Sequence, residues 1–248
     1  MAKLKIEDLY KIKGEIVRSL VLDSEKNSTR ITVHMGTCGI SSGADKVLEA
    51  FNEELIFSGR KDIHVTTSGC AGICNREPLI TIERVGKEPV KCADVDEKKA
   101  HQIFREYVLD GHINPEWVFA RGWEQKEEDF EGPPTTATEW APHIREILFF
   151  GMQNPVVMKN RGLIQAEKID EYIARDGYFA AAKALYQMAP DEIIGEMKKS
   201  GIKGRGGAGF PTGMKWGFAA SSRGETKYVL CNADEGDPGA FMDRCVLE

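Results

Sequence analysis

A strand–helix–strand pattern between residues 31 and 68, with a cysteine loop after each strand, constrains this chain more than any other feature. Ile31, Val33 and Met35 alternate, which predicts a strand. Ser42 and Asp45 then open a helix in capping-box style, Val47, Leu48, Phe51 and Leu55 give it an apolar face, and Gly59 stops it. Ile63 and Val65 mark a second strand that ends at Ser68-Gly69-Cys70. A unit of this kind makes its two strands parallel neighbours. The loop at Cys38 and the loop at Cys70 should therefore open at the same edge of one sheet.

The flanking sequence extends this unit. Residues 4–22 place Ile6, Leu9, Tyr10, Ile12, Ile16, Val17 and Leu20 at helical spacing. Residues 79–83 and 89–93 read as strands joined by a turn at Gly86, and 96–108 as a closing helix. The order α, βαβ, ββα predicts a small α/β domain over residues 1–110. A linker is expected over 111–143, where Glu124 to Glu131 is acidic and Pro133-Pro134-Thr135-Thr136 resists both helix and sheet. Residues 144–248 follow as a helical lead-in with Pro190 in a first turn, a glycine-rich segment and a helix at Lys215 to Ser221. A strand at Tyr228-Val229-Leu230 and an acidic loop from Asn232 to Gly239 complete it.

Charge and hydropathy narrow the function. Lys and Arg number 33 against 39 Asp and Glu, a net charge of −6, so no basic excess exists to neutralise nucleic-acid phosphates. The longest apolar candidate, Ile147 to Phe150, falls far short of the ~20 residues of a membrane span. No apolar signal core opens the chain, which points to the cytoplasm. There the six cysteines are ligands or buried apolar groups rather than disulfides.

Cys70-Ala-Gly-Ile-Cys74 follows a strand directly, and Gly69 and Gly72 allow a tight loop. Together with Cys38, these thiols suit zinc or iron–sulfur. Further along, Gly204 to Gly209 matches G-x-G-x-x-G, but a helix precedes it where the dinucleotide fingerprint requires a strand. The physical logic of a phosphate cradle still holds: backbone amides approach the ligand, the next helix offers its positive end, and Lys215 adds a cation.

Two resemblances sharpen both sites. Gly36-Thr37-Cys38-Gly39 with Ser41-Ser42-Gly43, Thr67-Ser68-Gly69-Cys70, and Cys74 before Leu79 resemble a thioredoxin-like [2Fe-2S] ferredoxin domain. That resemblance implies a cluster on Cys38, Cys70 and Cys74. The family usually has a second cysteine near the first loop, and this chain lacks it. A [2Fe-2S] cluster needs four ligands, which leaves His34 or Cys92 as candidates for the fourth.

Lys203 to Trp216 resembles the FMN-binding loop of the NADH-oxidising flavoprotein of complex I and of NAD-linked hydrogenases. Cys231 to Phe241 resembles that family's second flavin-contact loop. The resemblance implies that Gly204, Gly206, Gly207, Lys215, Asn232, Asp234 and Glu235 contact FMN. It also implies that Phe210 and Phe218 stack on the NADH adenine and that Asp237 lies near the ribose or nicotinamide. No residue is assigned as catalytic, and Cys231 and Cys245 are read as structural. The implied whole is a thioredoxin-like ferredoxin domain, a helical segment and the start of an α/β FMN- and NADH-binding domain. The implied function passes electrons from NAD(P)H through FMN to iron–sulfur centres and to the other subunits of a multi-subunit redox complex, hydrogenase-type favoured. The alternative is a non-catalytic iron–sulfur or docking module. Family members continue well past Glu248, so the expectation is a fragment, a truncated product or a split subunit, incomplete for catalysis alone.

Overall fold

The computed structural model describes residues 5–124, 141–224, 226–236 and 242–247. It divides into two compact units: Met1–Glu15 with Ile173–Ala233, and Ile16–Tyr172 with Asp234–Glu248.

The larger unit is built on one five-stranded sheet. Helix α1 (Ile6–Leu20) leads into β1 (Thr29–His34), followed by a short helix α2 (Thr37–Ser41), helix α3 (Ala44–Ser58) and β2 (Ile63–Ser68). Then come β3 (Ile80–Arg84), β4 (Val90–Cys92), helix α4 (Glu97–Ile103), which runs on as a wider turn over Phe104–Leu109, and β5 (Val118–Arg121). The strand order is β2-β1-β3-β4-β5. Strands β1 and β2 pair in parallel, with Ile31 opposite Val65, and the other pairs are antiparallel. This is the α/β arrangement expected of the thioredoxin-like reading.

The core explains the pattern. Ile31, Val33, Ile80, Ile82 and Cys92 send side chains to one face, where Val47, Phe51, Ile103 and Phe104 meet them, all essentially fully buried. Burying such residues stabilises by roughly 1.5–3 kcal/mol each. Gly59 ends α3 in the left-handed conformation, as the sequence predicts. The capping box does not form. Gly43, with φ +99°, stands at the N-cap of α3 with no side-chain cap, because Ser42 closes the preceding turn by donating its backbone N–H to Cys38 O and Gly39 O. Strand β5 lies within the stretch assigned to the linker, and residues 125–140 of that stretch fall outside the described residues.

The smaller unit is helical. Leu9 of α1 packs with Ile173 of α6 (Ile169–Ala174) and Ala182 of α7 (Phe179–Gln187); a one-turn helix, α5 (Leu148–Gly151), precedes α6 in the chain. Helix α8 (Pro190–Ser200) packs on α9 (Thr212–Ser221) closely enough that a Cβ at Gly213 would stand 2.6 Å from Lys198 N. Tyr228, Val229 and Leu230 are not a strand; they are irregular and exposed by 82%, 100% and 90%. Aromatic and β-branched residues favour extension, but a strand forms only where a partner accepts its hydrogen bonds. A final short helix, α10 (Met242–Leu247), belongs to the larger unit.

Candidate functional site

The parallel β1–β2 pair brings the two cysteine loops together. Cys38 is the second residue of α2, just past β1, and Cys70 follows β2. Their backbones pack so tightly that a Cβ at Gly36 would lie 2.8 Å from Cys70 Cβ. Cys74 opens a single tight turn, Cys74–Arg76. Gly72, between Cys70 and Cys74, has φ +89°, and a side chain there would also strike Arg161 Nη1 at 2.9 Å. Glycine is thus required twice over at that position.

The three thiols are chemical neighbours. Loss of solvent around the Cys74 sulfur, then hydrogen bonding with Cys38 and the proximity of Cys70, push the Cys74 thiol up to about 12. Three adjacent sulfurs cannot all ionise unless a cation offsets their charge, which is what metal binding supplies. Among the described residues no group of three or more His, Cys, Asp or Glu side chains is placed so that it could hold a metal ion as it stands. By chemistry the set fits three of the four thiolate positions of an iron–sulfur cluster. Gly72 N–H already donates to Cys70 Sγ at 3.3 Å.

His34 has both ring nitrogens engaged, and Cys92 lies on the far face of the sheet. His34 is fully buried, with Nδ1 2.7 Å from Ser68 Oγ and Nε2 2.9 Å from Thr81 Oγ1. Ser68 donates its hydroxyl proton to Gly69 O, and Lys91 Nζ donates to Thr81 Oγ1 at 3.0 Å. The arrangement that satisfies every group places the imidazole proton on Nδ1 and points the Thr81 proton at Nε2. Burial, then the Lys91 charge, hold this histidine well below its ordinary pKa, so it is neutral. Cys92 lies on the opposite, apolar face, and burial pushes its thiol up to about 12. It is a core residue.

The sequence does not reveal what covers the polar face. Lys91 is buried and faces Glu124 at 4.0 Å, and Glu124 in turn pairs with Arg161 at 2.9 Å. Gln165 donates to Thr66, and Gly69 N–H donates to Ile164 O. Residues 161–165 therefore brace the cysteine loops from one side. Glu77 is a second feature without a sequence signal. Its Oε2 accepts from Leu79 N–H at 2.7 Å, its Oε1 is buried without a partner, and burial pushes its carboxyl up to about 7.

In the smaller unit, the glycine-rich segment closes on itself. Gly204 N–H donates to Phe210 O at 2.8 Å and Thr212 N–H to Ile202 O at 3.0 Å. Side chains added at Gly206, Gly207 or Gly209 would meet nothing within 4 Å, so the loop presents open backbone. Helix α9 starts directly after it; Thr212 N–H is taken by Ile202 O, and no side chain caps the rest of the first turn, an arrangement that suits an anion. Lys215 is exposed in that first turn. Phe210 and Phe218 are exposed, with ring centroids 6.5 Å apart; Phe218 is not a core residue. Asn232 is exposed in the same unit and Asp234 is exposed in the larger one, whereas Glu235 uses its carboxylate to accept from Asp243 N–H and Arg244 N–H. Asp237 lies outside the described residues. Cys231, read as structural, is exposed.

Open amides, an uncapped helix start, a lysine and two exposed rings make a cradle for a phosphate-bearing planar ligand. Residues 197–248 match the Nuo51 FMN-binding domain family. The resemblance read from Lys203 to Trp216 and from Cys231 to Phe241 falls within or overlaps this FMN-binding-domain segment. Over 93 residues, 38% of this chain, it is 55% identical to the NADP-reducing hydrogenase subunit HndC of Solidesulfovibrio fructosivorans, of which it covers 19%. Over 96 residues, 38% of this chain, it is 44% identical to an NADH-quinone oxidoreductase subunit of Escherichia coli (strain K12), of which it covers 22%. The chain thus spans about a fifth of these relatives. A thioredoxin-like [2Fe-2S] ferredoxin from Aquifex aeolicus superposes on 39% of the chain and 94% of its own, at 17% identity and a TM-score of 0.36. An NAD+-reducing [NiFe]-hydrogenase superposes on 98% of this chain and 38% of its own, at 19% identity and a TM-score of 0.33.

Proposed function

We propose that this chain is an electron-transfer part of an NADH-linked oxidoreductase of the hydrogenase type. In this reading it binds FMN and NAD(H) through its FMN-binding-domain segment, carries a [2Fe-2S] cluster on its sheet edge, and works with other subunits of a redox complex. The observation that carries the reading is the meeting of Cys38, Cys70 and Cys74 in a chain whose residues 197–248 match an FMN-binding domain. No helix among the described residues is long and apolar enough to cross a membrane. We place the chain in the cytoplasm, where free thiols persist.

The residues have distinct tasks. The backbone from Gly204 to Gly207, open at Gly206 and Gly207 and closed at its root by Gly204 N–H donating to Phe210 O, holds the FMN phosphate with the start of α9, and Lys215 supplies a cation to flavin acceptors. Phe210 and Phe218 stack on the adenine of the nicotinamide cofactor. Asn232 and Asp234 bond the flavin's polar edge. FMN, when bound, converts a two-electron hydride into single-electron steps. Cys38, Cys70 and Cys74 would hold the cluster that accepts one electron at a time, with a fourth donor from outside this set.

The test is an anaerobic preparation with iron, sulfide and flavin quantified, followed by NADH–ferricyanide activity alone and with partner subunits. Equal iron and sulfide, bound flavin and diaphorase activity support the reading. Colourless protein inactive even with its partners leaves a docking module, and zinc without sulfide removes the iron–sulfur assignment.

A further inference from the structure

Of all side chains in the larger unit, Arg244 makes the least expected contact. Its Nη2 stands 3.6 Å from Cys38 Sγ, 206 positions away in sequence. The contact is held in place. Glu235 sits at φ +52°, an uncommon backbone for a residue with a side chain, and from there its carboxylate accepts from Asp243 N–H at 2.7 Å and Arg244 N–H at 3.1 Å. That pair fixes the first turn of α10 and hence the root of the Arg244 side chain. Cys70 takes a backbone donor from Gly72, so besides their contacts with Cys74 the sulfurs of Cys38 and Cys70 receive donors from different sources.

We propose that Arg244 is a positioning residue that tunes the Cys38 end of the cluster site. This rests on the cluster reading above. A guanidinium donating to a ligand sulfur stabilises the extra negative charge of the reduced cluster and so raises its reduction potential. The acidic loop takes part through Glu235, whose carboxylate serves the cysteine site by holding α10.

The experiment is a redox titration of the full chain, followed by electron paramagnetic resonance, for wild type, R244L and R244K, with iron and sulfide measured on each sample. R244L is expected to lower the reduced-to-oxidised ratio at the wild-type midpoint about threefold, or about 28 mV at 59 mV per tenfold for one electron. R244K keeps the cation without the fork and should fall between the two. Loss of the cluster from R244L with retention in R244K also supports a role at Cys38. Equal potentials and equal iron contents in all three overturn the proposal. Wild type without iron and sulfide overturns the cluster reading itself, whereas loaded wild type with an unchanged R244L removes only the Arg244 assignment.

Discussion

Replacing Glu77 with Gln should change how the stability of the protein depends on pH. The Glu77 carboxyl is buried, one oxygen has no partner, and its pKa rises from the usual 4.5 to about 7; the Leu79 amide and the Lys91 charge only partly offset the burial. A carboxyl with a raised folded-state pKa binds its proton more tightly when folded. It therefore favours the fold at low pH, and that contribution is lost as pH rises from 4.5 through 7. With these two values, linkage gives a loss of about 2–3 kcal/mol between roughly pH 5 and 8. E77Q keeps an acceptor for Leu79 and cannot ionise. The neutral His34 and the other titrating groups are common to both proteins and cancel in the comparison. Urea unfolding of metal-free protein, followed by circular dichroism across that range, should show the advantage of E77Q over wild type growing by about 2–3 kcal/mol as pH rises. An advantage that stays constant with pH would refute the assignment of a protonated, buried Glu77.

Three further outcomes follow from the packing. Phe51→Ala removes a fully buried ring that faces Phe104 at 6.5 Å and should cost about 3–5 kcal/mol by urea denaturation. Gly213→Val must push α8 from α9, because Lys198 N stands 2.6 Å from the new Cβ; a loss of about 1–3 kcal/mol should appear as faster proteolysis within residues 190–221. Gly72→Ala imposes both a left-handed backbone on alanine and a clash with Arg161, so iron uptake by the thiol loop should fall while the far-UV spectrum of the sheet persists.

Much of the α/β unit was legible because its signals are local and repeated. Alternation at Ile31 and Val33 and at Ile63 and Val65 locates the parallel pair, Gly59 marks the end of the helix between them, and Gly86 marks the turn from β3 to β4, both at positive φ. What escaped depends on distant partners. Strand β5 is four residues long and exists because β4 offers Val90 and Lys91 to Arg121 and Ala120; the acidic, proline-rich sequence after it reads locally as linker. The apparent strand at Tyr228 to Leu230 is the converse, with strand-forming residues and no partner. Helix α2 is a single turn, too short for any period, and it displaced the expected cap from Ser42 to Gly43.

The site shows the same division, and His34 is its sharpest case. Its position four residues before Cys38 invites a ligand role, since spacing alone cannot tell a ligand from a support. The sheet decides between them. His34 lies on the face opposite Val33, where Ser68 and Thr81 occupy both ring nitrogens and Lys91 extends the chain of hydrogen bonds by donating to Thr81. That chain fixes Ser68 two residues before Cys70. The backbone of the same histidine meets the other loop, since a Cβ at Gly39 would stand 2.5 Å from His34 O. One buried, neutral imidazole residue therefore anchors the loop of Cys38 and the loop of Cys70 at once. Removing its ring should loosen both thiols without removing a ligand, because two buried hydroxyls, Ser68 and Thr81, each lose one hydrogen-bond partner and keep only Gly69 O and Lys91.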